Sequence, residues 1–297
     1  MPAPARPRPR NRPRGGRAHP AIRVRGLTKH YPSVTALDGI DLDVHSGEIV
    51  ALLGPNGAGK TTTMEILEGH RRPDSGEVRV LGVDPRHATP AWRNRIGIVL
   101  QGAADFGTLT VRQVVDLFGV YYADPMPVEE ALGLAELMEE ADHRLNTLSG
   151  GKRRRLEIAL GIIGRPQLLF LDEPTTGFAP EVRRRFWSLI RTLRDQGTTI
   201  LLTTHHLDEA EHLADRVAVI NKGRMVAVDT PARLGGRRTS AAEVRWRAPD
   251  GPRTVRTHTP TALVRKLTTE FRGEVPELTV TRLTLEDIYL DMIGQRA

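Results

Sequence analysis

Apolar and polar residues follow one another along this chain in two regular ways. Residues 40–44 alternate apolar and acidic side chains with a period of two, which is typical of a half-buried strand. Short apolar runs predict further strands over residues 48–53, 78–81, 96–100, 168–171, 199–203 and 216–220. Helical spacing predicts helices over residues 111–122, 128–138, 151–163 and 181–195. Strands that alternate with helices in this order indicate the α/β class with a mainly parallel sheet.

Beyond Pro231 the pattern changes. Residues 243–246 and 253–257 alternate on either side of Pro249-Asp250-Gly251, which is a hairpin signal. A helix over residues 261–271, a strand over 278–281 and a final helix over 285–293 follow. These elements predict a small α+β appendage of about 60 residues, near the lower size limit for independent folding. The predicted organisation is therefore a tail (1–20), a large domain (21–235) and an accessory domain (236–297).

The net charge of +7 is concentrated at the start of the chain. Residues 1–37 contain nine basic residues and no Asp or Glu, so the remainder carries a small negative charge. Within residues 1–20, six prolines oppose an amphipathic helix, and no apolar segment of the secretory kind is present. We expect a disordered, extended Pro/Arg-rich tail; a tether to acidic lipid or RNA is the alternative.

Composition excludes several classes of protein. The chain of 297 residues has 39% hydrophobic residues, which is typical of a globular protein. The absence of Cys excludes disulfides, thiolate zinc sites and cysteine nucleophiles. Apolar runs such as residues 168–171 are far shorter than the roughly 18 residues that span a bilayer. We therefore do not expect the chain to cross a membrane by itself.

A glycine-rich sequence between a predicted strand and a predicted helix matches the phosphate-binding P-loop. Its glycines allow backbone N–H groups to turn towards a β-phosphate, and the helix N-terminus adds its dipole. Lys60 is expected to neutralise the β- and γ-phosphates, and the Thr61 hydroxyl to bind Mg²⁺. A glycine turn without function is the alternative. The candidate nucleotide-binding residues here are Gly54, Pro55, Asn56, Gly57, Ala58, Gly59, Lys60, Thr61 and Thr62.

Two further segments carry candidate chemistry. The apolar strand 168–171 ends in Asp172, a candidate Mg²⁺ ligand, and Glu173, a candidate base that polarises water. Between this strand and the P-loop, Ser149, Gly150 and Gly151 open a helix and predict a second anion-binding helix start.

Together these motifs resemble the ATP-binding subunit of an ABC transporter over residues 22–234. The resemblance implies a P-loop cassette with a mainly parallel core, an antiparallel β subdomain and a helical subdomain. It also implies that Ser149-Gly150-Gly151 of one subunit closes on ATP held by a second. It further implies roles for Tyr31 as the aromatic that stacks on adenine, Gln101 as a catalytic and metal-binding glutamine, and His205 as the switch histidine. Three alternatives to these roles remain open. They are a core position for Tyr31, a surface amide for Gln101, and His206 in place of His205 as the switch histidine.

The sequence departs from the family pattern at two places. Lys152 replaces a common glutamine and is followed by an arginine run, which resembles the drug- and antibiotic-exporter branch of the daunorubicin-resistance type. Ala179 stands where the family usually has an Asp that links the two sites of the dimer. Nucleotide binding with weakened coupling between sites is therefore expected. Residues 285–290 resemble the C-terminal segment of the same branch. We expect an accessory role for them, as a dimer contact or a regulatory element; an appendage that covers a sheet edge is the alternative.

The resemblance implies an ATPase that uses ATP and Mg²⁺ and drives efflux through a separate permease, as a homodimer on the inner face of the cell membrane. The helical region 109–146 is expected to transmit motion to that permease. No specific nucleic acid is expected as a partner. A soluble ABC ATPase acting on the ribosome or nucleic acid, and a degenerate regulatory subunit, are the alternatives.

Overall fold

A computed structural model describes residues 20–99, 107–239 and 241–294, with the backbone alone at 237–239. Its strands are β1 (Ile22–Tyr31), β2 (Val34–Val44), β3 (Ile49–Leu53), β4 (Ser75–Val80), β5 (Ile96–Val99), β6 (Leu168–Asp172), β7 (Thr199–Thr204), β8 (Arg216–Asn221), β9 (Arg224–Asp229), β10 (Ala242–Ala248), β11 (Gly251–Thr257) and β12 (Thr279–Thr281). Its α-helices are α1 (Lys60–Leu67), α2 (Pro90–Arg93), α3 (Val111–Gly119), α4 (Val128–Leu134), α5 (Gly150–Ile162), α6 (Pro180–Asp195), α7 (Leu207–Leu213), α8 (Pro260–Glu270) and α9 (Leu285–Met292).

The central sheet has the strand order β5-β6-β7-β3-β8-β9. All neighbours pair in parallel except β8 and β9, which are antiparallel. The middle strand β3 is buried along its whole length, as expected for a parallel sheet covered on both faces. Val50 and Leu52 enter one hydrophobic core, whereas Ile49, Ala51 and Leu53 enter the other. Because successive side chains of a strand point to opposite faces, β3 lies between two cores.

The first of these cores lies under a second, antiparallel sheet of order β2-β1-β4. A third core joins α3, α4 and one face of α5, which contributes Leu156 and Ala159. Another face of α5 packs on the central sheet, where Ile158 and Ile162 belong to the core beside β3. A Cβ atom on Gly97 in β5 would lie 2.1 Å from the carbonyl oxygen of Gly161, so only glycine permits this crossing. The predicted mainly parallel core, antiparallel sheet and helical region are confirmed.

Most predicted elements are present with small changes at their ends. The helix predicted over residues 128–138 was too long, because α4 ends at Leu134 and Glu136 adopts a left-handed φ of 53°. The N–H of Leu137 then bonds to the carbonyl of Leu132 at 2.8 Å, which is a Schellman-type helix end. This reversal buries Leu137 in the core of the helical region. Residue 100, the end of another predicted strand, lies outside the described residues.

Strand β9 was missed by the sequence analysis. Asn221 and Arg224 pair across a two-residue turn in which Lys222 and Gly223 have φ values of 47° and 75°. Positive φ at both central positions is typical of a type I′ hairpin, for which Asn-Gly and Asp-Gly are the known signals. Lys222 stands where Asn or Asp is usual, so the sequence contained only the glycine of this signal.

The C-terminal segment divides between two cores. The predicted hairpin β10–β11 is present, and together with β12 and α8 it encloses a small core around Val244 and Leu267. Helix α9 instead returns to the large domain, where Leu285 joins the core beside β3. A Cβ atom on Gly235 would lie 2.5 Å from Ile288 Cγ2, so the helix packs closely on this glycine. The boundary between residues 235 and 236 stays a prediction, and α9 packs across it.

Two further predictions concern residues outside the described ranges. One is the role of Gln101, and the other is the predicted tail, of which only Pro20 is described. No helix in the described ranges is both long enough and apolar enough to cross a bilayer.

Candidate functional site

The glycine-rich loop joins the end of β3 to the start of α1. Gly57 and Gly59 have φ values of 76° and 109°, and Gly59 is the residue before the first turn of the helix. A Cβ atom on Gly59 would lie 2.6 Å from the carbonyl oxygen of Ala36, so backbone conformation and space both require glycine here. Thr61 and Thr62 lie in the first turn of α1, as predicted from the motif. The loop therefore presents a helix N-terminus of the kind that binds phosphate.

Lys60 bends back over this loop. Its Nζ atom donates hydrogen bonds to the carbonyl oxygens of Gly54 at 2.8 Å and Pro55 at 3.2 Å, and the residue is only 6% exposed. Burial lowers the pKa of Lys60, while the negative charges of Glu173 and Asp172 act in the opposite direction. The ammonium group is thus close to two acids and to a loop that can hold an anion, which is what phosphate binding requires.

Asp172 and Glu173 lie at the carboxyl end of β6. Asp172 Oδ1 accepts a hydrogen bond from the hydroxyl of Thr203, its partner on β7. The backbone N–H of Glu173 donates to the carbonyl and the hydroxyl of the same Thr203, at 3.2 and 3.0 Å. Glu173 has a φ of 44°, an uncommon left-handed conformation that is found at functional sites. Thr203, which the sequence analysis did not identify, therefore orients both acids.

The side chain of Glu173 contacts a histidine. Its Oε2 atom lies 3.3 Å from Nδ1 of His205 and accepts a hydrogen bond from the Thr176 hydroxyl at 3.4 Å. The ring of His206 lies 4.1 Å from that of His205, centroid to centroid. Burial, followed by the His205 ring and Arg183, lowers the pKa of His206. Of the two adjacent histidines, His205 is the one in contact with the candidate base.

Ser149, Gly150 and Gly151 lie at the start of α5. The Ser149 hydroxyl accepts a hydrogen bond from the N–H of Lys152 at 3.5 Å, which caps the helix, and both glycines are exposed. Lys152 itself pairs with Glu140 at 2.5 Å. The predicted helix start is therefore present and accessible from outside the subunit.

Arg154 links this helix to the acids, a role that sequence reasoning missed. Its guanidinium donates to the backbone carbonyl of Asp172 at 2.8 Å and of Pro174 at 3.2 Å, and it pairs with Glu157. Arg154 is only 9% exposed. The arginine run after Lys152 thus contains one buried residue. The position of Arg154, one turn after the start of the helix, was the only sign of this role in the sequence.

Tyr31 ends β1, on the antiparallel sheet. The guanidinium carbon of Arg71 lies 5.3 Å from the centroid of the Tyr31 ring. The predicted alternative of a core aromatic does not fit, because Tyr31 is only partly buried and belongs to none of the hydrophobic cores found in the described part of the chain.

The segment after Glu173 leads into α6. Phe178 is buried against Phe186, with ring centroids 6.0 Å apart in an edge-to-face arrangement. Ala179 occupies the N-cap position of α6 and provides no side-chain hydrogen bond there. An Asp at this position could cap the helix, so the substitution removes a local interaction in addition to the charge.

A buried acid lies beneath this segment and was also missed. Glu209, in the first turn of α7, is fully buried. Thr175 and Trp187 face it beyond hydrogen-bond geometry, and among the described atoms neither carboxyl oxygen has a hydrogen-bond partner. Burial raises the pKa of Glu209, and the facing hydroxyl and indole groups partly offset this effect. A neutral carboxyl group therefore suits this position.

A P-loop between a strand and a helix, with two acids at the end of a parallel strand that one further strand separates from it in the same sheet, defines a nucleoside triphosphatase cassette. Residues 37–176 match the protein family described as ABC transporter. The chain belongs to this family, as one of its ATP-hydrolysing, ATP-binding proteins.

Curated relatives agree with this assignment. The chain is 45% identical over 219 residues to the daunorubicin/doxorubicin resistance ATP-binding protein DrrA of Streptomyces peucetius, covering 72% of this chain and 66% of the relative. It is 38% identical over 308 residues to the daunorubicin resistance ATP-binding protein DrrA2 of Streptomyces coeruleorubidus, and this match covers 93% of this chain and 96% of the relative. It is 42% identical over 221 residues to the Nod factor export ATP-binding protein I of Ralstonia nicotianae, and this match covers 72% of this chain and 68% of the relative.

Among solved structures, the chain is similar to the dimeric ATP-binding cassette MJ0796 in a post-hydrolysis state bound to ADP and Pi. The TM-score is 0.65 at 26% sequence identity, and the match covers 70% of this chain and 98% of that one.

Proposed function

We propose that this protein is the ATP-hydrolysing subunit of an exporter and drives drug or antibiotic efflux through a separate membrane permease. The observation that carries the proposal is the contact of 3.3 Å between Glu173 Oε2 and His205 Nδ1, beside Asp172 and Lys60. The names of the relatives, which include drug-resistance and export proteins, support export and the kind of cargo.

The loop Gly54–Thr61 is proposed to hold the triphosphate. Its N–H groups and the helix N-terminus attract the phosphate oxygens, and these compete with the Gly54 and Pro55 carbonyls for the Lys60 ammonium. Thr62 follows in the same turn and is proposed to contact the same phosphates. Tyr31 is proposed to stack on the adenine.

The residues present also fit Mg²⁺. The Thr61 hydroxyl and the Asp172 carboxylate are hard oxygen ligands, and Gln101 is the third ligand proposed. No cluster of three acidic or His residues occurs in the described ranges. Mg²⁺ in nucleotide sites takes one or two protein ligands and completes its shell with phosphate and water, so a small protein contribution is expected. When bound, the ion neutralises charge on the phosphates.

Glu173 is proposed to act as the general base. Its carboxylate is held by Thr176 and His205, and its backbone is held by Thr203. A carboxylate in this position can accept a proton from a water molecule that attacks the γ-phosphate. An N–H group of the His205 ring can donate a hydrogen bond to Glu173 or to the γ-phosphate, and Gln101 is proposed as the third catalytic residue.

Dimerisation is proposed to complete the site. The exposed Ser149-Gly150-Gly151 helix start suits contact with a triphosphate held by a second copy, so that two ATP lie between two subunits. Hydrolysis would then release the copies. The helical region 109–146 is proposed to transmit this motion to the permease, which places the protein on the inner face of the cell membrane.

The test is Glu173→Gln, which keeps the shape of the side chain but cannot accept the proton. We expect ATP binding to persist, the dimer to become more stable and turnover to be lost, as measured by calorimetry, light scattering and phosphate release. Glu139→Gln, at an exposed position, is the control and should behave as the wild type. Turnover retained by Glu173→Gln would remove Glu173 from the role of base.

A further inference from the structure

Two cations lie near the ring of Tyr31. The guanidinium carbon of Arg71 lies 5.3 Å from the ring centroid, and Lys29 Nζ lies 5.9 Å from it. Both distances are within the range of about 6 Å over which a cation is attracted to an aromatic face. Arg71 is the closer of the two, and its planar group can also stack on the ring.

Arg71 is itself fixed to the helix that begins in the phosphate loop. Its Nε atom donates to Glu65 Oε2 at 2.5 Å, and its backbone N–H donates to the Glu65 carbonyl at 3.0 Å. The bond to Glu65 also raises the pKa of Arg71. Glu65 lies in α1, which begins at Lys60. Tyr31 is therefore joined, through Arg71 and Glu65, to the element that positions the phosphates.

The second cation is attached differently. Lys29 Nζ pairs with Asp74 at 2.7 Å, and the backbone N–H of His30 donates to the same carboxylate. This contact joins β1 to the loop before β4 and not to α1. Lys29 therefore neutralises Asp74 beside the ring, whereas Arg71 links the ring to the phosphate-binding helix.

We propose that Arg71 is a positioning residue for the base of a nucleoside triphosphate. Held by Glu65, its guanidinium covers one face of Tyr31, so the ring keeps the orientation in which its other face receives a purine. The base-stacking ring is thereby linked to the helix of the phosphate loop through the Arg71–Glu65 pair. This inference rests on the proposed function, since it takes Tyr31 to be the base-stacking residue.

The test compares ligands with and without a base. Calorimetry on the full chain measures Kd for ATP and for inorganic triphosphate in the wild type, Arg71→Ala, Tyr31→Ala and the double variant. Loss of one cation–π contact predicts Arg71→Ala to weaken ATP binding about three- to fivefold. Binding of triphosphate should be unchanged, and the double variant should bind ATP like Tyr31→Ala alone.

The neighbouring Arg72 is exposed and provides the matched control, because Arg72→Ala removes the same charge without the contact to the ring. Three results would overturn the proposal: equal weakening of triphosphate binding in Arg71→Ala, additive effects in the double variant, or ATP affinity unchanged by Tyr31→Ala. None of these depends on turnover. Failure of the proposed function would appear separately, as hydrolysis retained by Glu173→Gln.

Discussion

The guanidinium of Arg154 donates a hydrogen bond of 2.8 Å to the backbone carbonyl of Asp172, the last residue of β6. Arg154 lies one turn into the helix that Ser149 caps. A single side chain therefore joins the helix start proposed to contact the second nucleotide with the strand end that bears the candidate Mg²⁺ ligand and base. Movement of α5 relative to the sheet would act directly on these acids.

Replacing Arg154 tests this link. Arg154→Ala removes a buried guanidinium and leaves the mostly buried carboxylate of Glu157 without this partner, so we expect the free energy of unfolding to fall by about 3 kcal/mol in urea titrations. We also expect kcat to fall roughly tenfold, because the segment that carries Glu173 loses an anchor. Arg153→Ala, at an exposed position, should change stability by less than about 0.5 kcal/mol. Equal effects of the two substitutions would contradict the link.

The unfolding free energy of the nucleotide-free protein should depend on pH through the titration of Glu68. Burial, followed by the negative charges of Asp172 and Glu65, raises the pKa of Glu68 from an ordinary value of 4.5 to about 7. The folded state thus holds a proton that the unfolded chain releases first. Stability falls as pH rises from 4.5 to 7, and the loss is then constant at about 3 kcal/mol.

Glu68→Gln should remove this part of the pH dependence. Relative to the wild type, the variant should gain about 2 to 3 kcal/mol in unfolding free energy between pH 5 and pH 8, as measured in urea at each pH. The exposed substitution Glu77→Gln should leave the slope as it is. A slope shared by the wild type and Glu68→Gln would show that Glu68 does not titrate in this range.

Substitutions at Ala179 can distinguish the effect of capping helix α6 from the effect of coupling the two nucleotide sites of a dimer. Because Ala179 is an uncapped N-cap, Ala179→Asp and Ala179→Asn should each stabilise the protein by about 1 kcal/mol in thermal or urea unfolding. Asp alone also restores the charge that the family uses across the dimer. We expect it to raise the ATPase rate and its cooperativity, whereas Asn should raise neither. Identical ATPase curves for Ala179→Asp and the wild type would refute weakened coupling.

The Pro/Arg-rich tail should be dispensable for turnover. The residues proposed to bind ATP begin at Tyr31, and the described body of the protein begins with β1. Deleting residues 1–20 should therefore leave kcat and KM for ATP within about twofold of the full chain, measured by phosphate release on folded protein. Loss of activity in a folded, soluble variant would assign the tail a catalytic role.

Much of the site could be predicted because its motifs are local. The P-loop lies within eight consecutive residues, and its function depends on backbone conformations that Gly57 and Gly59 adopt. The apolar runs of β3 and β6 predicted strands because both are buried on two faces. The end of α4 and the turn at Lys222 were not predicted, since each depends on a non-glycine residue with positive φ.

The amino-acid sequence was enough to predict the class of protein, most of the strands and helices and the phosphate loop, because each depends on patterns among residues close together in the chain. Only the tertiary structure brought Arg154 to Asp172, Thr203 to both acids, and Arg71 to Tyr31. It also returned α9 to the large domain. The contacts of Arg154, Thr203 and Arg71 join residues that are 18 to 40 positions apart. No local pattern encodes them, because they form only when sheet and helices pack together.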